Sequence, residues 1–85
     1  MNITVRYFAH VREMLGTGRE DHDPPVQIRT LGEMRAWLMT RSERHAEELA
    51  SARPLRMACN QTMGDAQTEL QEGCEVAFFP PVTGG

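Results

Sequence analysis

Two short segments of strict alternation stand at opposite ends of this chain. Near the start, Ile3, Val5 and Tyr7 alternate with Thr4, Arg6 and Phe8; near the end, Val76 and Phe78 alternate with Ala77 and Phe79. A period of two sends successive side chains to opposite faces, so each segment reads as a strand with one apolar face. No other part of the sequence alternates as cleanly. Both strands are therefore expected at the centre of one sheet and next to each other, although nearly the whole chain separates them.

The intervening sequence supplies helices and turns. Val11, Met14 and Leu15 fall at helical spacing after the first strand, and Gly16 and Gly18 suit the left-handed conformation that closes a helix. The stretch TGREDHDPPVQI is polar and broken by Pro24 and Pro25, leaving room for a loose second strand at most. Thr30 with Glu33 predicts a capping box opening a helix over about residues 31 to 41, with Leu31, Met34, Leu38 and neighbouring Trp37 as its apolar face. SERHAEELA continues helical, with Ala46, Leu49 and Ala50 on a face, until Arg53-Pro54 stops it. Leu55, Met57 and Cys59 alternate as a strand, Asn60-Gln61 reads as a turn, Thr62-Met63 begins a short return, and Gly73 marks the turn into the last strand. The economical arrangement is α+β, a mixed sheet packed on one main helix. If the two alternating strands are parallel neighbours, its topology is analogous to the ubiquitin-like β-grasp. Residues 1–79 are read as this single domain and residues 80–85 as an extended C-terminal tail.

Eighty-five residues, 40% of them hydrophobic, suffice for one small core. Twelve acidic against nine basic residues give a net charge of −3, which offers no basic field for nucleic acid. No apolar run is long enough to span a membrane and the start does not have the form of a signal peptide, so the expectation is a cytoplasmic protein with no membrane partner. Every basic residue is arginine, so no side-chain amine is present to accept an acyl group.

Side-chain chemistry is sparse. His10, His22 and His45 are scattered, and HAEEL lacks the second histidine of a helical metal pair, so no metal site is expected. Cys59 and Cys74, fifteen residues apart and without a CxxC partner, read as two buried thiols in a reducing compartment. Gly16-Thr17-Gly18 is a fragment of a phosphate loop and reads as a helix stop, while the carboxylates of REDHD and EELA are expected on the solvated surface. No catalytic role falls to the chain's own side chains.

What remains is FFPPVTGG. Pro80 and Pro81 cannot donate to a ladder, so the strand must end there and the chain is held extended; at roughly 3.1 Å per residue, the six residues from Pro80 to Gly85 would reach about 19 Å. Phe79, next to the prolines, reads as exposed. Gly84 and Gly85 have no Cβ, giving a tip slender enough to thread a tunnel, and the group expected at its end is the α-carboxylate of Gly85. Such a carboxylate becomes electrophilic once its oxygen is made a leaving group, as in a mixed anhydride with AMP.

EVAFFPPVTGG at Glu75 to Gly85, with NQT at 60 to 62 and VRE at 11 to 13 after ITVRYFA, resembles the small, sulfur-carrier subunits of molybdopterin synthase in molybdenum-cofactor biosynthesis. The resemblance covers nearly the whole chain and is loose between residues 17 and 54. It implies that an E1-like adenylyltransferase uses ATP to adenylate Gly85, and that a sulfur-donor enzyme then converts the adenylate to a thiocarboxylate. Pro80, Pro81, Val82, Thr83 and Gly84 would thread into the large catalytic subunit, in a heterotetramer of two small and two large subunits. There the sulfur would attack the cyclic pyranopterin precursor, two loaded carriers building the dithiolene. The small subunit would bind no cofactor of its own. By family position, Phe79 and Met63 are expected as apolar anchors at the partner interface and Arg12 as a charged contact on its rim; family members often carry leucine where Met63 stands.

Other readings share the terminal glycines. A thiamine-thiazole type sulfur carrier is usually shorter and lacks the Phe-Phe-Pro-Pro run. A ubiquitin-like protein modifier predicts isopeptide conjugates, and a binding module with an inert tail predicts no effect of removing Gly85.

Overall fold

The structure, a computed structural model of the chain, describes residues 1–81; the expected tail positions Val82, Thr83, Gly84 and Gly85 lie outside that range. The elements are β1 Ile3–Tyr7, α1 Ala9–Leu15, β2 Arg19–His22, α2 Leu31–Leu38, α3 Glu43–Glu48, β3 Arg56–Cys59, β4 Thr62–Gly64 and β5 Glu75–Phe79. The strands form one sheet in the order β2-β1-β5-β3-β4. β1 and β5 run parallel at its centre, with Val5 opposite Val76 and Tyr7 opposite Phe78, and the remaining pairings are antiparallel. The expected central pair is present, and with it the mixed α+β sheet of a β-grasp.

Alternation decides what each central strand buries. Ile3, Val5, Tyr7, Val76 and Phe78 are sealed against Leu31, Met34 and Leu38 of α2 and against Leu49. The Tyr7 and Phe78 rings, opposite each other in register, stack with centroids 6.2 Å apart. The first turn of α2 is closed from two sides. Thr30 and Glu33 form the reciprocal capping box, while the N–H groups of Leu31 and Gly32 donate to the carbonyls of Thr68 and Ala66 at 2.9 and 3.1 Å. A Cβ at residue 32 would stand 2.9 Å from that of Ala66, so this approach requires glycine.

Three details differ from the sequence reading. The helix expected to reach about residue 41 ends at Leu38, because Ser42 must be extended to cap α3 and accept the His45 N–H; Thr40 and Arg41 instead bond back to Trp37 and Leu38 in a tightened last turn. α3 then stops at Glu48, well before Pro54. Arg35 reaches across from α2 and donates to the carbonyls of Leu49, Ala50 and Arg53 at 2.6–3.0 Å, fixing a turn where the helix would have continued. Finally, the REDHD and EELA carboxylates are not all on the surface. Glu20 is half-buried among hydrogen-bond donors, and Glu48 is 3% exposed because α3 turns that edge towards α1, Pro80 and Pro81.

The Asn60-Gln61 turn joins β3 to β4 with both residues at positive φ, 50° and 67°, the geometry of a two-residue hairpin loop. Among the described residues no helix is long and apolar enough to cross a membrane.

Candidate functional site

Residues that alternate away from the core build a groove on the open face of the sheet. Arg6 and Phe8 come from β1 and its end, Glu75, Ala77 and Phe79 from β5, Ala58 from β3, and Gln61 and Met63 from the β3–β4 hairpin; together they line a depression of about 510 Å³. Its floor is low because the register sets Ala58 opposite Ala77, two methyl groups where larger side chains would fill the space. Phe8 and Phe79 stand over one end, edge to face, and Met63 is 54% exposed over the floor. Arg6 is held at the rim by the Gly18 carbonyl at 3.3 Å, by Glu75 at 3.7 Å and by the face of Phe8, 5.7 Å from its ring centroid. The hairpin is tied to β5 in turn: the Glu75 N–H donates to the Asn60 side chain and the Asn60 N–H to the Glu75 carbonyl, at 2.9 and 2.8 Å.

Such a groove is apolar with one charge pair on its edge, and its lining residues include no serine, cysteine or histidine. Its shape and apolar floor can receive side chains of another protein. Phe79 and Met63, expected as anchors, are both in it. Phe79 is half-buried rather than exposed, because Phe8 packs against it. Arg12 does not line this groove; it borders a separate polar hollow beside Glu13 and Thr17 at the end of α1. Pro80 and Pro81 follow β5 directly and form part of a small cavity with His10 and Glu48. Phe8 was not singled out from sequence, though its signal was present: it continues the outward set of β1 and, by parallel register, must neighbour Phe79.

Glu20 and Tyr7, on the other side of the sheet, are engaged with each other and with two histidines. Glu20 accepts hydrogen bonds from Tyr7 Oη at 2.7 Å and lies 3.0 Å from Nε2 of both His22 and His45. Burial disfavours its charge, but these donors outweigh burial and hold its carboxyl below the usual value. Tyr7 moves the other way, its phenol raised by burial and by the Glu20 carboxylate. Both cysteines are free thiols; Cys74 is buried and Cys59 half-buried, not sealed as expected. Burial and the neighbouring Cys74 thiol push Cys59 up to about 11, which disfavours its thiolate at neutral pH. Among the described residues no group of three or more His, Cys, Asp or Glu side chains is arranged to hold a metal ion.

A five-stranded mixed sheet with a parallel central pair, packed on one main helix, defines a ubiquitin-like β-grasp domain. The archaeal SAMP1 of Haloferax volcanii has this fold, with a TM-score of 0.76 at 21% identity over the full length of both chains. A family model described as the ThiS family matches residues 5–85, and the chain belongs to that family. It is 40% identical to the molybdopterin synthase sulfur carrier subunit of Escherichia coli (strain K12), over 98% of this chain and 99% of the relative. It also matches a chain from a complex of subunits 1 and 2 of the molybdopterin-converting factor of Helicobacter pylori, at 26% identity and a TM-score of 0.67 over all of both chains.

Proposed function

We propose that this chain is the sulfur-carrier subunit of molybdopterin synthase and that its cargo travels on the main chain, as a thiocarboxylate at Gly85. The observation that carries this reading is the continuity of β5: the strand ends by setting Phe79 into the groove and passes at once into Pro80 and Pro81, the start of the tail. A partner that docks on the groove therefore meets the tail at a fixed starting point. The E. coli relative's name and full-length match support the assignment, and favour it over a thiazole-type carrier or a protein modifier. The suppressed Cys59 thiol supports a main-chain carrier over a persulfide carrier.

In this reading an E1-like adenylyltransferase joins the Gly85 carboxylate to AMP with loss of pyrophosphate from ATP, and sulfur supplied by a donor enzyme displaces AMP. The loaded tail, Pro80 to Gly84, then threads into the large subunit, where the sulfur passes to the cyclic pyranopterin precursor. The carrier itself is non-catalytic and works in the cytoplasm. The H. pylori complex of two subunits supports a large-subunit partner; in this reading two small and two large subunits assemble as a heterotetramer. Phe8, Phe79 and Met63 would fill the centre of the interface, where buried apolar anchors dominate affinity, with Arg12 as a peripheral contact.

The test is the intact mass after incubation with an E1-like enzyme, ATP and a sulfur donor. The expected result is the exchange of one oxygen for one sulfur, localised to Gly85. No gain under conditions that load the E. coli carrier would overturn the reading.

A further inference from the structure

A smaller cavity, of about 150 Å³, lies at the root of the tail on α1 and the α3–β3 connection. At roughly 30 Å³ per water, it has room for about five water molecules. Its walls are apolar, formed by Val11, Leu55, Pro80 and Pro81, yet they enclose the carboxylate of Glu48, the one buried charged side chain of the described residues. The two basic side chains beside that carboxylate stop short of hydrogen-bond length: His10 Nε2 is 3.6 Å from Oε1 and Arg53 Nη2 is 3.7 Å from Oε2. Neither is committed to it. His10 is 61% exposed, and the Arg53 Nε–H donates to the Glu47 carbonyl at 3.1 Å.

A carboxylate has about four acceptor positions and is costly to bury without donors to fill them. An apolar slot with a buried carboxylate whose two basic neighbours stand beyond hydrogen-bond length suits a guanidinium. That group is planar and weakly hydrated, so its faces can lie on proline and leucine while its edge donates two parallel N–H bonds to the two oxygens. A compact, strongly hydrated ammonium fits such walls less well. The location names the source: because Pro80 and Pro81 are walls of the cavity and Phe79 stands in the groove, a protein that grips the tail root must pass over its mouth.

We propose that this cavity receives one arginine side chain of the protein that grips the tail, its guanidinium paired with the Glu48 carboxylate. The proposal rests on the carrier reading above and adds a second contact, beside the groove, that fixes the tail root as it enters the partner. His10 and Arg53 shield the carboxylate in the free protein and swing outward when the arginine enters.

The test uses the full chain and methylguanidinium as the probe, followed by NMR at the Glu48 carboxyl carbon and the Val11 and Leu55 methyls. Expected are saturable shifts at these three residues, absent with sodium chloride at equal ionic strength and absent with tetramethylammonium, which has the charge but no N–H. Glu48→Gln should abolish the shifts and weaken binding to the large synthase subunit about thirtyfold or more. A response to tetramethylammonium equal to that of methylguanidinium, no saturable shift at all, or full retention of both effects in Glu48→Gln would overturn the proposal. If Glu48→Gln does not fold, the two cations on the natural chain still decide it. Sulfur loading of Gly85, read by mass, is independent of this cavity, so failure here with normal loading refutes the arginine site and leaves the carrier reading standing.

Discussion

Phe8 and Phe79 meet edge to face, ring centroids 6.4 Å apart and planes at 87°, at the end of the two parallel central strands. The contact joins opposite ends of the sequence and exists before any partner arrives. One wall of the groove is thus already ordered, which lowers the entropy lost on docking. It also gives Phe79 a structural role besides the proposed binding one, whereas Met63, 54% exposed across the groove, would serve binding alone.

That difference separates two substitutions. Met63→Ser should leave urea-measured stability within about 0.5 kcal/mol of the natural chain while reducing affinity for the large subunit about tenfold or more, as measured by calorimetry. Phe79→Ala should lower both, because it also removes the aromatic contact with Phe8, worth about 0.5–1.5 kcal/mol beyond the area buried. Unchanged affinity in Met63→Ser would remove it from the interface.

Gln61 holds φ at 67° without being glycine. A side chain in this region costs about 1–2 kcal/mol, so Gln61→Gly should raise stability by roughly 1 kcal/mol once the greater freedom of glycine in the unfolded chain is allowed for. Because Gln61 lines the groove, partner affinity measured alongside tells whether its side chain also binds.

The Glu20 cluster sets an acid limit. Burial alone would raise its carboxyl, but the bonds from His22 and Tyr7 and the proximity of His45 leave it below the ordinary 4.5. A folded value below the unfolded one contributes stability that is complete above pH 4.5 and is lost as the pH falls through the folded value. Glu20→Gln should therefore be less stable than the natural chain at neutral pH, and its thermal midpoint should fall less between about pH 5 and about pH 3. Parallel decline of the two proteins would show that Glu20 is not the group responsible.

Cysteine accessibility tests the main-chain route for sulfur. With Cys59 pushed up to about 11 and Cys74 buried, iodoacetamide should label neither appreciably in the native protein near pH 8, and should label both in urea. Cys59→Ser should still load sulfur at Gly85. Loss of loading in a folded Cys59→Ser protein would point to a thiol on the sulfur path.

Much of the architecture was legible because it follows from local rules. Thr30 with Glu33 announced the start of α2, and Gly16, at a φ of 77°, closes α1 where its position implied. Helix ends set by distant groups were not legible: nothing near Glu48 in sequence says that Arg35 will claim the carbonyls that follow it. The same holds for the site. Phe79 and Met63, singled out through the family resemblance, both line the groove, but Phe8 becomes their neighbour only when β1 and β5 pair in parallel, and Arg12 borders a different hollow.

By itself the sequence determined the alternating strands, the capped helix and the strand-terminating prolines, because each depends on side-chain period or on the backbone of one or two residues. The tertiary structure alone decided which carboxylates are buried, which thiol is suppressed and where the groove lies. Those properties depend on burial and on donors brought from remote elements: the Glu20 carboxyl is held low because Tyr7, His22 and His45 converge on it, and Glu48 faces Pro80 and Pro81 because α3 turns it there.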